Sequence, residues 1–168
     1  MVDLPAPRTP RGYALALVCL GNICRSPMAH VVLAHKLAAA GLASQVAVAS
    51  SGTGDWHIGE KMDHRAAESL AHHGYDPTVH RGQQFVGDWF TRYDAILVMD
   101  AGNRRDVLRL TPADGDRERV LLFRAFDPEA GDDLDVPDPW YGDQRGFEAV
   151  LQIIERTTDE LVTRLADP

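Results

Sequence analysis

Nine residues, Cys19-Leu20-Gly21-Asn22-Ile23-Cys24-Arg25-Ser26-Pro27, decide how the rest of the chain reads. They end an apolar run, Tyr13–Cys19, whose length and Val and Leu content suit a buried strand. They open a helical pattern over residues 27–40, with Pro27 at its start and Gly41 just past its end. A strand ending in cysteine, then five residues, then Arg and Ser at a helix start can curl so that backbone N–H groups point inward. The helix adds its own free N–H groups and the positive end of its dipole, which makes an anion site. Arg25 supplies a planar fork matched to two oxygens of a tetrahedral oxyanion. The same field favours a thiolate at Cys19, and Ser26 can donate its hydroxyl hydrogen to that sulfur. Gly21 and Asn22 are residue types that tolerate the positive φ such a loop requires.

Outward from this loop, residues 46–51, 94–99 and 120–123 read as three further buried strands. Helical patterns cover residues 61–73, stopped at Gly74, and 103–110, stopped by Pro112. The last helix is the clearest, because Phe147, Val150, Leu151, Ile154, Leu161, Val162 and Leu165 lie on one 3.6-residue stripe. Strands alternating with helices predict an α/β fold of three layers, a four-stranded parallel sheet with helices on both faces. Ligands of such sheets bind beyond the carboxyl ends of the strands, where the strand order reverses. Residues 1–11, with three prolines, read as a flexible leader, and residues 12–168 as one domain.

The nine-residue stretch resembles the signature loop, C-x5-R-S/T, of protein tyrosine phosphatases. The run CLGNICRSP near the N-terminus is similar to that of the low-molecular-weight family. A second motif stands far downstream, before the last helix: Asp138-Pro139-Trp140-Tyr141-Gly142 is similar to the segment that carries this family's general acid. By residue type alone Asp133, Asp135 and Asp138 are rivals; the proline and aromatic pair after Asp138 select it. The resemblance spans about residues 14–165. It implies a phosphate-binding loop after the first strand, built from Leu20, Gly21, Asn22, Ile23, Cys24, Arg25 and Ser26. It also implies hydrolysis of phosphotyrosine through a phosphocysteine on Cys19, with Arg25 binding phosphate and Asp138 as acid and then base.

The segment from Ser50 to His57 follows the second strand as the family's cleft wall does. Trp56 is thereby expected on one side of the substrate ring, with Trp140 and Tyr141 on the other. Asn22, Ser50, His80 and Asp100 match family positions of a hydrogen-bond network that shapes the loop; Asp100 also reads as an ordinary helix N-cap. Three residues depart from relatives. Ile23 stands where the family's protein-arginine phosphatases have threonine. Trp140 replaces the first of two adjacent tyrosines, and His30 replaces an acid, which reads as a surface change. A protein-arginine phosphatase of the same fold and a non-catalytic phosphotyrosine-binding module are the alternatives. An arsenate reductase needs a further cysteine pair, and the chain has no cysteine after Cys24. Cys24 itself reads as a small buried residue supporting the loop.

The chain has 168 residues, 17 basic and 25 acidic, and a net charge of −8, which argues against nucleic acid or an anionic membrane as partner. No apolar run approaches the ~20 residues needed to span a bilayer, nor does the start resemble a signal peptide. Two cysteines are too few for a disulfide framework, so a cytoplasmic location is expected. The seven histidines form no metal set, and a cysteine mechanism calls for no cofactor. Gly52 and Gly54 are no dinucleotide fingerprint, since position 57 is His where a third glycine is required. The expected partners are tyrosine-phosphorylated proteins.

Overall fold

The first apolar run forms β1 (Tyr13–Cys19), and it lies in the middle of the sheet. The computed structural model describes residues 2–111 and 113–167. Strand β2 (Val46–Gly52) pairs with one edge of β1, β3 (Ala95–Val98) with the other, and β4 (Val120–Leu122) with β3. All pairs are parallel, and the order is β2-β1-β3-β4. The order reverses at β1, which puts a crevice at its carboxyl end.

Alternation along β1 sends Leu15, Leu17 and Cys19 to one face and Ala16 and Val18 to the other. On the first face α1 (Arg25–Ala39), α2 (His64–His72) and the long α6 (Gln144–Ala166) cover the sheet. Met28, Leu33, Phe147, Ile154 and Leu161 are fully buried there. On the second face Phe85, Trp89 and Phe90 pack with Val18, Ile96 and Val98. This layer holds α3 (Trp89–Arg92) and α4 (Ala101–Leu108); α5 (Asp114–Arg117) is a short surface turn without buried residues. With both faces covered, the strands read as continuous apolar runs, which is how parallel strands differ from half-exposed ones.

Several boundaries differ from those expected, each for a local reason. Helix α1 begins at Arg25, before Pro27, because the signature loop feeds it directly. Helix α2 begins at His64, since the Asp63 carboxylate accepts the Arg65 N–H and caps the helix there. Asp100 caps α4 in the same way through the Asn103 N–H, moving its start forward to Ala101. Pro112, expected to stop that helix, lies outside the described residues. Neither α3 nor α5, each one turn long, was expected.

Residues 2–11, within the stretch expected as a flexible leader, make several contacts with the rest of the chain. Val2 and Leu4 pack on the core, the Tyr13 hydroxyl donates to the Pro5 carbonyl, and Arg119 donates to that of Ala6. Arg8 donates to the carbonyls of Phe90 and Tyr93 at the end of α3, while its backbone N–H donates to Asp94. Prolines narrow the unfolded ensemble, so holding this segment costs less chain entropy than its irregular sequence suggests.

Candidate active site

The loop between β1 and α1 is organised around Asn22, which is buried and sits at φ 57°, the one non-glycine residue with positive φ among those described. Its polar groups are all engaged. The backbone N–H donates to Cys19 Sγ at 3.3 Å, and the carbonyl accepts from His80 Nε2 at 2.7 Å. The side-chain amide donates to Ser26 Oγ (2.8 Å) and Ser50 Oγ (3.1 Å), while Oδ1 accepts the Gln83 N–H (2.9 Å). These bonds offset the cost of the left-handed backbone. Ser26 Oγ accepts from Asn22 and lies 3.0 Å from Cys19 Sγ and 3.3 Å from the Ser51 carbonyl oxygen, so its own hydrogen is shared between the sulfur and that carbonyl. Burial pushes the His80 imidazole down from its ordinary value, more than its bond to Asn22 raises it, so the neutral ring donates from Nε2.

Arg25 is 2% exposed at the floor of the crevice. Nη1 donates to Asp100 Oδ2 at 2.6 Å and to the Val136 carbonyl at 2.9 Å, and Nη2 lies 3.5 Å from Asp138 Oδ2. Burial works against the guanidinium charge, but Cys19, the Asp100 bond and Asp138 outweigh it and hold the group cationic. Asp100 does two things at once: Oδ2 receives Arg25 and Oδ1 caps α4. The segment leading to Asp138 is held at this place by the Val136 N–H, which donates to the Met99 carbonyl just past β3.

Of the three candidate acids only Asp138 lines the crevice. Asp133 pairs with Arg124 at 3.1 Å, and Asp135 accepts the Ala101 N–H at 3.0 Å. The cleft, about 210 Å³, has Cys19, Leu20, Gly21, Ile23, Cys24 and Arg25 at its base. Trp56, His57, Trp140 and Tyr141 form its walls. Trp56 is 64% exposed, Trp140 45% and Tyr141 86%, so the walls stand open to solvent. Both cysteines are free. Burial, helped by Asp63 and Cys19, pushes the Cys24 thiol far above its ordinary value, so it stays protonated. Ser50 and His80 are not in the cleft; they reach it only through Asn22.

The family model described as low molecular weight phosphotyrosine protein phosphatase matches residues 14–168. The chain belongs to this family. A low molecular weight protein-tyrosine-phosphatase of Streptomyces coelicolor is 44% identical over 156 residues, 92% of this chain and 94% of that protein. Low molecular weight protein-tyrosine phosphatase A of Mycobacterium tuberculosis is 46% identical over 142 residues, 84% of each. A protein tyrosine phosphatase from Entamoeba histolytica, solved with Hepes in its active site, superposes with a TM-score of 0.87 at 29% identity, covering 93% of this chain and 98% of that one.

This phosphatase uses residues around its cleft that sequence reasoning did not single out. At Gly52 a Cβ would come within 2.7 Å of the Leu20 carbonyl oxygen and 2.9 Å of the Asn22 nitrogen, so the end of β2 can support the loop only as glycine. Gly82 meets the His57 carbonyl even more closely. The sequence signal was present, a glycine that ends β2 directly after a serine pair, but nothing local said what it faced. His57, the last residue of the segment expected to form the cleft wall but not itself expected to face substrate, lines the cleft, with its Nδ1 2.7 Å from Glu60. His30 corrects the expectation of a surface change. It is half-buried and lines a second cavity, about 550 Å³, behind the loop with Ser50, His80 and Gln83. Burial, and then the neighbouring His80, push it down to about 4.

Proposed function

We propose that this phosphatase hydrolyses phosphotyrosine in proteins through a phosphocysteine on Cys19. One observation carries the reading: Cys19, the Arg25 guanidinium and the Asp138 carboxylate line one cleft between Trp56 and Trp140. In the first step the Cys19 thiolate attacks phosphorus, and the P–S bond forms as the bond to the tyrosine oxygen breaks. Protonated Asp138 gives its proton to that oxygen as it leaves. Arg25 and the N–H groups of residues 20–26 take up the charge on the equatorial oxygens. In the second step the Asp138 carboxylate takes a proton from water, whose oxygen attacks phosphorus. The P–S bond breaks, phosphate leaves, and Ser26 stabilises the returning thiolate. Asn22, Ser50, His80 and Asp100 keep the cradle in shape before substrate arrives.

A slot with its nucleophile at the base and aromatic walls admits a long flat side chain and leaves a phosphoserine short of the sulfur. The chemistry needs neither metal nor cofactor. No helix among the described residues is long and apolar enough to cross a membrane, and two free thiols, one of them the nucleophile, fit the reducing cytoplasm. The test is hydrolysis of phosphotyrosine, phosphoserine and phosphoarginine substrates with a chelator present, by wild type and Cys19→Ser. Turnover confined to phosphotyrosine and abolished in the variant is expected, with vanadate binding retained. Preference for phosphoarginine would move the protein to the other branch despite Ile23. Turnover of none of them, with phosphopeptide binding intact, would make it a binding module.

A further inference from the structure

The turn that carries Asp138 is fastened to the signature loop by a side chain outside the motifs. The turn is a short 3-10 segment, Pro139–Tyr141, capped at its start by Asp138 Oδ1, which accepts the Trp140 N–H at 3.1 Å. At its far end Arg65 Nη1 donates to two carbonyls, Trp140 at 3.2 Å and Gly142 at 3.1 Å. The Arg65 guanidinium carbon lies 5.4 Å from the Trp140 ring centroid and 4.6 Å from that of Phe147, the latter buried on α6. The other edge of the guanidinium is taken by Asp63: Nη2 donates to Oδ2 at 3.0 Å and Nε to Oδ1 at 3.1 Å. Asp63 in turn donates its backbone N–H to the Ile23 carbonyl, inside the signature loop, at 2.8 Å. Gln144 Nε2, at the start of α6, donates to the Arg65 carbonyl at 2.9 Å.

We infer that Arg65 is a positioning residue for the general acid, setting the place of the Asp138 turn relative to the Cys19 loop. Ile23, Asp63, Arg65 and the carbonyls of Trp140 and Gly142 form one unbroken chain between the two halves of the site. Arg65 does not line the cleft and does not touch the reacting atoms. Its planar fork is what the job requires: one edge binds a carboxylate while a nitrogen of the other reaches both carbonyls, and the flat face stacks on rings. A lysine ammonium has the charge but neither the fork nor the face. Asp63 reinforces the fixture, since the bonds from Arg65 overcome its burial and hold its carboxyl below the usual range.

This inference rests on Asp138 being the acid, and a double-mutant cycle separates the two claims. The readout is kcat/KM for phenyl phosphate, whose leaving oxygen needs a proton, against p-nitrophenyl phosphate, whose leaving oxygen hardly does. Asp138→Asn is expected to lose far more on the first ester; equal loss on both would overturn the acid assignment itself. Given that result, Arg65→Ala is expected to lose roughly tenfold or more on phenyl phosphate, in line with the cost of a displaced catalytic group. It should stay near wild type on p-nitrophenyl phosphate, with vanadate affinity unchanged. Added to Asp138→Asn, Arg65→Ala should cost little more, because its effect passes through the acid. Arg65→Lys keeps the stem and charge and should show the same selective loss, so it decides the matter if the alanine variant folds poorly. Losses that are equal on both esters, or that add fully in the double variant, would overturn the positioning role.

Discussion

Asn22 concentrates the requirements of the site into one side chain. Few residue types tolerate φ 57°, and of those only asparagine offers two amide hydrogens and a carbonyl oxygen at that spot. Its partners, Ser26, Ser50, Gln83 and His80, come from α1, β2 and the loop over residues 80–84, so the loop's shape is set by tertiary contact at one point. Behind it, His30 carries a pH dependence. Its ordinary value is 6.5 and its value in the fold about 4, so the folded state prefers the neutral ring. As pH falls from about 7 towards about 4 the unfolded chain takes the proton first, and stability drops; below that both states are protonated and the loss stops. Urea unfolding should therefore show a lower midpoint near pH 5 than near pH 7 in wild type, and a smaller difference in His30→Gln. An equal difference in both would assign the acid sensitivity to other groups.

At the scale of elements, the end of β2 and the signature loop are built as one unit. Gly52 stands opposite Cys19 in the sheet register, its N–H donates to the Gln83 carbonyl, and the next two N–H groups donate to the carbonyls of Cys19 and Leu20. A methyl group at Gly52 has no room, and the atoms it meets are backbone. Gly52→Ala should cost about 1–3 kcal/mol in thermal or urea unfolding and lower both vanadate affinity and kcat/KM, because the loop must shift. Gly115→Ala in α5, where the added carbon meets no atom within 4 Å beyond its chain neighbours and its own helix backbone among the described residues, should lower neither. The element boundaries teach a related lesson. Helices α2 and α4 start where Asp63 and Asp100 cap them; only the Asp100 cap was expected, and each carboxylate also binds an arginine, Asp63 Arg65 and Asp100 Arg25. Capping is legible from neighbours in the chain; the second duty is not.

For the molecule as a whole, the charge balance bears on which phosphoproteins approach. The net charge is −8, and among the described residues Arg25 is the one Arg or Lys lining the cleft, buried at its floor. The mouth is framed by Trp56, Trp140 and Tyr141, all exposed. Phosphotyrosine peptides with acidic flanks should thus show a lower kcat/KM than neutral ones at low salt. Their kcat/KM should rise as ionic strength increases from about 0.01 to about 0.1 M, over which the screening length shrinks from ~30 to ~10 Å. Neutral peptides should change far less; a falling rate for the acidic ones would point to an attractive field at the mouth.

By itself the sequence determined the alternation of strands and helices, the loop between the first strand and helix, and the family its two motifs point to. Those features are set by residues close together in the chain: the 3.6-residue stripe of α6, the apolar runs of the strands, and a cysteine, arginine and serine at fixed spacing. The motif around it singled out Asp138 from three aspartates; only the tertiary structure showed what holds the other two elsewhere, Asp133 on Arg124 and Asp135 on the Ala101 N–H. It also decided that Arg8 of the N-terminal segment bonds to α3, that His30 lies half-buried beside His80, and that Arg65 joins the two halves of the site. Each of these depends on where elements far apart in sequence come to rest against one another, and packing between layers, rather than local periodicity, places them there.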